Sequence, residues 1–332
     1  MLLKLVEYHW AESVDDALLL LTRLDTKTVP LAGGTYLLGL QDDSIQAVVD
    51  LRDLELAYFS EDTRFLHIGS MTTLQNIAGE PLLKEFATGL LAHAALASSS
   101  SRLIRNCATI GGTVATGIPA QADLLTALVA MEAEAVVRSG SKTQVNLSAG
   151  TSERPGLALS GVVYKGKQER RLPCGTCHVE RRPNELILEI LIPRPAASCG
   201  TSFTRIGRTP TDAALLNAAA LVEIEDGVYK RVRLAFGGVN MEPVRLWSVE
   251  RQLEGQPATH PLDKEARGEL KFDKERLLAA LRVGINDFRP PTDARASSGY
   301  RRVSGLSLAY RVLEEATNVS LWRGMVASGK SV

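Results

Sequence analysis

The chain has no excess of charge of either sign: 38 Lys and Arg stand against 38 Asp and Glu in 332 residues. That balance excludes the counterion release that drives nucleic-acid binding and the pull of a basic chain towards an anionic membrane surface. No apolar run approaches the roughly 18–20 residues that a membrane span needs. The N-terminus, MLLKLVEYHWAESVDD, turns acidic where a signal peptide would stay apolar, so a cytoplasmic protein is expected. Four cysteines are too few for a disulfide framework, which fits a reducing compartment. His9, His67, His93, His178 and His260 are scattered and show no metal-ligand spacing. There is no G-x-S-x-G elbow, no G-x-G-x-x-G fingerprint after a strand, and no internal repeat.

What is present is an ordinary globular composition, 45% hydrophobic, with length for two or three domains at about 150 residues each. ESVDDALLLLTRL reads as an amphipathic helix capped by Ser13, with Asp16 completing a capping-box pattern. TVPLA, AVVDLRDL and RFLHIG read as strands, and Thr72 or Thr73 caps the helix that follows. LLAHAALAS is helical, SRLIRNCATIGG has strand character running into a glycine turn, and DLLTALVAMEAEAVVRSG is helix then strand. Residues 140–184 read as loops and short strands with basic runs, KGKQERR and VERR, on either side of a cysteine pair. ELILEILIP restores a buried strand, and PRPA after it marks a domain boundary. Beyond it, AALLNAAALVEIEDGVYKRVRLAFGGV turns at Asp226 and Gly227 into a returning strand, and helices around KERLLAALRVGI and SLAYRVLEEA close an α+β domain.

Three motifs carry chemical meaning. AGGTYL (32–37) and TIGGT (109–113) each place a Gly-Gly pair before a hydroxyl residue in strand-to-helix context. Such turns either serve only the backbone, or turn their N–H groups inward as an anion nest with Thr35 or Thr113 as an added donor. Two of them closing on one pyrophosphate from both sides would need no Lys or Arg. Cys174 and Cys177 form CGTC, which is half of a four-thiolate metal or iron–sulfur site, a redox dithiol, or a reduced pair on a surface loop. His178 extends it to CGTCH, but haem attachment belongs to exported chains. GMVASGKS (324–331) has Walker A spacing, yet a helix-like stretch precedes it instead of the buried strand that a phosphate loop requires.

YHWAESVDDALLLLTRL, PLAGGTYLL, VVDLRDL, IGSMTTLQNIA, IRNCATIGGTVATG with Asp123 after it, ELILEILIP, FTRIGRTPTDAAL, FGGV with Pro243, and DARASSGYRR occur in one order along nearly the whole chain. In that order the sequence resembles the FAD-binding medium subunits of molybdenum hydroxylases, the group of aerobic carbon monoxide dehydrogenase and xanthine dehydrogenase. The resemblance implies an α+β, vanillyl-alcohol-oxidase (PCMH)-type FAD-binding fold of two subdomains plus a C-terminal α+β domain. Its boundaries would be 1–195 (subdomains about 1–55 and 56–195) and 196–320, with 321–332 as a tail. It implies that Ala32, Gly33, Gly34, Thr35, Tyr36 and Leu37 form a first pyrophosphate loop and Thr109, Ile110, Gly111, Gly112 and Thr113 a second. Asp123 matches an acid that hydrogen-bonds the cofactor, Ile187 a backbone contact, and Arg205 a basic side chain near the flavin.

The same resemblance assigns no catalytic or metal-binding residue to this chain. Substrate would be hydroxylated at molybdopterin in a large partner subunit, and electrons would pass through two [2Fe-2S] clusters of a small subunit to FAD and on to NAD+ or another acceptor. The assembly would be a dimer of heterotrimers. Three departures stand out. Thr113 replaces a usual Asn, PAQAD (119–123) is one residue longer than the usual spacing, and 140–184 is extended. One branch, the benzoyl-CoA-type reductases, carries an extra [4Fe-4S] cluster on an inserted loop, with a cysteine spacing unlike that of Cys174 and Cys177. Two rivals stay open: a stand-alone flavoprotein oxidase or dehydrogenase of the same fold, and a flavin-free assembly module.

Overall fold

The computed structural model describes residues 2, 4–118, 122–140, 143–144, 162–163, 168–209, 211–258 and 267–327. The first sheet is parallel, with strands β1 (Glu7–Trp10), β2 (Thr28–Leu31) and β3 (Ala47–Asp50) in the order β1-β3-β2. Its middle strand, AVVD, is buried along its whole length, which is why it reads as an apolar run without alternation. Helix α1 (Val14–Leu21) returns the chain from β1 to β2 and buries Ala17, Leu18 and Leu21. The Ser13 hydroxyl accepts from the Asp16 N–H at 3.1 Å, while the Asp16 carboxylate accepts from the Glu12 N–H, one residue beyond the N-cap N–H that a full capping box uses.

The second sheet is antiparallel, β4 (Phe59–Glu61), β5 (Phe65–Gly69), β10 (Glu185–Pro193), β6 (Glu134–Ser139) and β9 (Gln168–Pro173) in that order. Six helices between β5 and β6 accompany it: α2 (Leu74–Gly79), capped by Thr73, α3 (Pro81–Glu85), α4 (Leu90–Ala97), α5 (Arg102–Cys107), α6 (Ile110–Thr116) and α7 (Ala122–Ala130). Their inner faces make one core with the sheet, in which Ile77, Leu91, Ile110, Leu124 and Leu128 meet Leu66, Ile68, Val137 and Ile190. A short ladder, β7 (Thr143–Gln144) with β8 (Val162–Val163), and the single turn α8 (Cys177–Glu180) complete this part.

The third sheet is a meander of β11 (Gly200–Ile206), β12 (Leu216–Glu225), β13 (Val228–Gly237) and β14 (Val244–Arg245). Asp226 and Gly227, both at positive φ, form the two-residue turn between β12 and β13 that the sequence signals. Helices α9 (Trp247–Leu253), α10 (Arg267–Gly284) and α11 (Ser298–Ala327) follow. On β12, Leu216, Ala218, Ala220 and Val222 belong to the core shared with α11, while Ala219 and Leu221 belong to the core of the second sheet. Both faces of the strand are therefore covered, and the alanines keep the two layers close.

Two segments differ from their sequence readings. LIRNC is helical, because Ser101 caps it through the Ile104 N–H and Arg105 folds back onto the Ser99 and Ser100 carbonyls. Gly111 and Gly112 lie inside α6 and do not form an open turn. Of the Walker-like segment, Gly324 to Ala327 form the last turn of α11, and Ser328 to Val332 lie outside the described residues, as does Pro119 to Gln121 of PAQAD. Among the described residues no helix is long and apolar enough to cross a membrane.

Candidate functional site

The carboxyl ends of β2 and β3 open onto a cavity of about 300 Å³, the place where open parallel sheets bind ligands and the small end of the usual size for such sites. Ala32 to Leu37 leave β2 along one side of it, and Leu51 follows β3 into the same wall. Ser70 and Met71 after β5, Ser98 and Ser99 after α4, Thr109 and Gly111 to Thr113 at the start of α6, and Leu186 and Ile187 of β10 complete the enclosure. The two glycine segments, more than seventy residues apart in sequence, thus share one cavity.

Their contact is direct. A Cβ on Gly33 would fall 1.7 Å from the Cys107 carbonyl oxygen, and a Cβ on Gly111 would fall 2.7 Å from the Ser70 carbonyl oxygen. Each glycine lets one cavity segment touch the backbone of another. Gly34 adds a left-handed residue, φ +69°, which turns the first segment into the short 3-10 turn Leu37–Gly39.

The two segments differ in what they offer. Among the described residues, the N–H groups of Gly33, Gly34, Thr35, Tyr36 and Leu37 find no acceptor on the protein. In the second segment the Ile110 N–H donates to the Thr72 carbonyl at 3.0 Å and the Gly111 N–H to the Ser70 carbonyl at 2.9 Å. The Gly112 N–H donates to the Thr109 hydroxyl at 3.1 Å. The Thr113 hydroxyl donates to the Thr109 carbonyl at 3.0 Å, so its hydrogen is spent as well. A pincer of two open nests is therefore corrected to one open nest, the first segment, facing a close-packed helix start. Free backbone amides at a loop suit an anionic oxygen group.

Ile187 enters the wall because β10 carries a bulge. Ile187 pairs with Val137 and Glu189 with Val136, which leaves Leu188 without a partner on β6 and sends its carbonyl to the Ser70 N–H at 2.9 Å. Ile110 does not line the cavity and is buried in the core beneath it. Asp123 and Arg205 also lie outside the wall. Asp123 is 2% exposed, accepts from the Asn217 amide at 2.5 Å, and has Arg205 at 3.8 Å. Burial pushes its carboxyl up to about 6 against the pull of Arg205 and Asn217. This pair braces the wall from behind: Arg205 donates to the Ala97 carbonyl at 2.7 Å, and the Leu124 N–H beside Asp123 donates to the Ser98 hydroxyl at 3.2 Å.

Sequence reasoning misses Leu51, Ser70, Ser98, Ser99 and Arg181 in this wall. The run of four serines after α4 and the basic run VERR are the signals that could have pointed to the last three. The CGTC pair is not on a surface loop. Cys174 and Cys177 are free, buried thiols of the main core, and burial pushes Cys177 up to about 11 and Cys174 well above its ordinary value. Both are thereby favoured in the protonated, weakly nucleophilic form. Among the described residues no group of three His, Cys, Asp or Glu is placed to hold a metal ion. His178 packs on Gly117 at the end of α6 and has Glu242 at 3.4 Å.

The sequence matches the family described as the FAD binding domain in molybdopterin dehydrogenase over residues 4–195, and the CO dehydrogenase flavoprotein C-terminal domain over 201–316. It is 28% identical over 299 residues to the glyceraldehyde dehydrogenase medium chain of Sulfolobus acidocaldarius, covering 89% of this chain and 92% of that one. It is 28% identical over 324 residues to the carbon monoxide dehydrogenase medium chain of Afipia carboxidovorans, covering 93% and 96%. The fold superposes on a chain of carbon monoxide dehydrogenase from Hydrogenophaga pseudoflava with a TM-score of 0.77 at 24% identity, covering 95% of this chain and 98% of that one. With the family matched over most of its length and an amide-lined cavity between the matched segments, this chain belongs to the FAD-binding subunits of the molybdopterin-dependent dehydrogenases.

Proposed function

We propose that the chain is the electron-transfer subunit of a three-component molybdenum hydroxylase. It takes electrons from [2Fe-2S] clusters of a small partner, fed by a large molybdopterin subunit that hydroxylates substrate, and passes them to NAD+ or another acceptor. The complex is a cytoplasmic dimer of heterotrimers, with domain limits at 195 and 320. The observation that carries this reading is the set of unspent amides from Gly33 to Leu37 in a cavity closed by the second glycine segment.

Bound FAD supplies the electron-accepting and electron-donating chemistry. The protein's part is to hold it. The amides of 33–37 would take the diphosphate, Thr35, Tyr36 and Ala32 shape the same turn, and Thr109, Gly111, Gly112 and Thr113 with Ile187 form the opposite wall, with Ile110 packed in the core beneath it. Asp123 and Arg205 keep the end of α4 in place behind Ser98. A stand-alone oxidase would need its own base in the cavity. The acid in the wall, Glu185, is already engaged by Arg170 through two contacts of 2.9 Å and by the Arg182 N–H at 2.8 Å, and among the described residues no histidine lines the cavity. Burial alone would raise Glu185, but these partners outweigh it and hold its carboxyl below the usual range.

The test is purification under gentle conditions with identification of the polypeptides that come with the chain. A yellow protein with a flavin spectrum, accompanied by one large and one small subunit and reduced by organic substrate only in their presence, is the expected result. A colourless chain that cannot take up FAD would overturn it.

A further inference from the structure

Among the described residues that line the cavity there is one cation, Arg181, and it forms no direct ion pair, although the charge of Glu185 acts on it from a distance. Its Nη1 donates to the Glu185 carbonyl at 2.8 Å and the Arg182 carbonyl at 3.2 Å, both of them neutral groups. Its Nε is buried and finds no partner, and among the described residues no hydrogen bond from Nη2 is found. The carboxylate of Glu185, the acid in the same wall, is engaged by Arg170 and the Arg182 N–H. The guanidinium is thus anchored through one nitrogen to a backbone turn, while the Nε–Nη2 edge is unspent. That edge is the fork that meets two oxygens of a phosphate or carboxylate.

The charge count of the cavity points the same way. The carboxylate of Glu185 is hydrogen-bonded by Arg170 and the first glycine segment contributes amides without charge, so Glu185 offsets Arg181 only in part. Burial lowers the pKa of Arg181 against the opposing pull of Cys177 and Glu185. A buried charge without a partner is costly, and an anionic ligand removes that cost.

We propose that Arg181 is the cationic contact for the diphosphate of FAD, acting with the amides of Gly33 to Leu37. This rests on the flavin-subunit reading above. It also changes the electrostatic picture of the site, since the diphosphate is held by one fixed charge as well as by dipoles.

The test uses the full-length chain freed of flavin and titrated with FAD and with inorganic pyrophosphate at low and high salt. Arg181→Gln should weaken both ligands by about 10- to 100-fold, the loss of a charge-assisted hydrogen bond or two, and should flatten the salt dependence of each. Arg181→Lys keeps the charge without the fork, so it should retain the salt dependence and recover part of the affinity. If Arg181→Gln does not fold, that lysine variant decides: wild-type affinity for both ligands would overturn the proposal. Unchanged pyrophosphate affinity and an unchanged salt dependence in Arg181→Gln would also overturn it, even with FAD weakened, because that pattern belongs to a residue that only braces the turn. A wild-type chain that binds pyrophosphate through Arg181 but no FAD would instead overturn the flavin-subunit reading.

Discussion

Gly33 illustrates what single residues decide here. The Cys107 carbonyl oxygen would lie 1.7 Å from an added Cβ, against backbone that cannot rotate away. Gly33→Ala should therefore push the first loop off α5, cost roughly 1–3 kcal/mol as an overpacked site does, and lose FAD. Flavin content together with urea unfolding checks it; a variant that keeps both would show that the loops do not need this approach. The AGGTYL pattern is visible in the sequence, but its purpose is not, because the group that forbids a side chain lies on a helix seventy residues away. Thr113 makes the same point from the other side. Its hydroxyl looks like a donor to a ligand, and the helix it sits in takes the hydrogen for the Thr109 carbonyl.

At the scale of elements, α6 shows how a glycine-rich segment becomes a helix. Thr109 caps it, its hydroxyl taking the Gly112 N–H, and α6 ends at Gly117 in the left-handed conformation. Thr109→Ala should cost about 1 kcal/mol, read as a lower urea midpoint, and should release the Gly112 amide towards the cavity. An unchanged midpoint would mean that packing of Ile110 and Val114 alone holds the helix. The neighbouring α5 is hard to read because it has only six residues and leaves Leu103 77% exposed, so it lacks the apolar stripe that marks a helix. On β12 the difficulty is different. Both faces are buried, so LNAAALV shows no alternation and offers only small residues, which the sequence alone does not separate from helix.

The whole molecule depends on the seam between the second and third sheets. Glu132, at the turn from α7 to β6, accepts from Arg231, from Arg233 at 2.8 Å and from Arg245 at 2.7 Å, all on β13 and β14. Burial alone would raise its carboxyl, but the arginines bring it down to about 2. Because the folded pKa lies below the ordinary 4.5, the stabilisation is present above that value and is lost as pH falls towards 2. Glu132→Gln should destabilise the chain at pH 7 by roughly 1–3 kcal/mol, less than a fully buried pair would, and the gap to wild type should close between about pH 4.5 and 2. Urea unfolding across that range measures it, and a pH-independent gap would remove the ion pairs as its cause. Near this cluster, Thr126 donates to Asn217 at 2.7 Å and Asn217 to Asp123, tying α7 to β12.

By itself the sequence determined many of the strands and helices, the helix cap at Ser13 and one at Thr72 or Thr73, the hairpin at Asp226 and Gly227, and the two glycine segments with the family they resemble. These are local properties, set by periodicity, turn chemistry and motif, and neighbours in the chain suffice to express them. Only the tertiary structure decided which amides of those segments are free. That depends on whether a carbonyl such as Thr72 or Ser70 arrives from elsewhere in the chain to take the hydrogen. It also decided that Arg170 is spent on Glu185 while Arg181, the cation among the described lining residues, is held by backbone carbonyls and not by an ion pair. Net charge is a sum over the chain, whereas binding responds to the few charges left unpaired at one place.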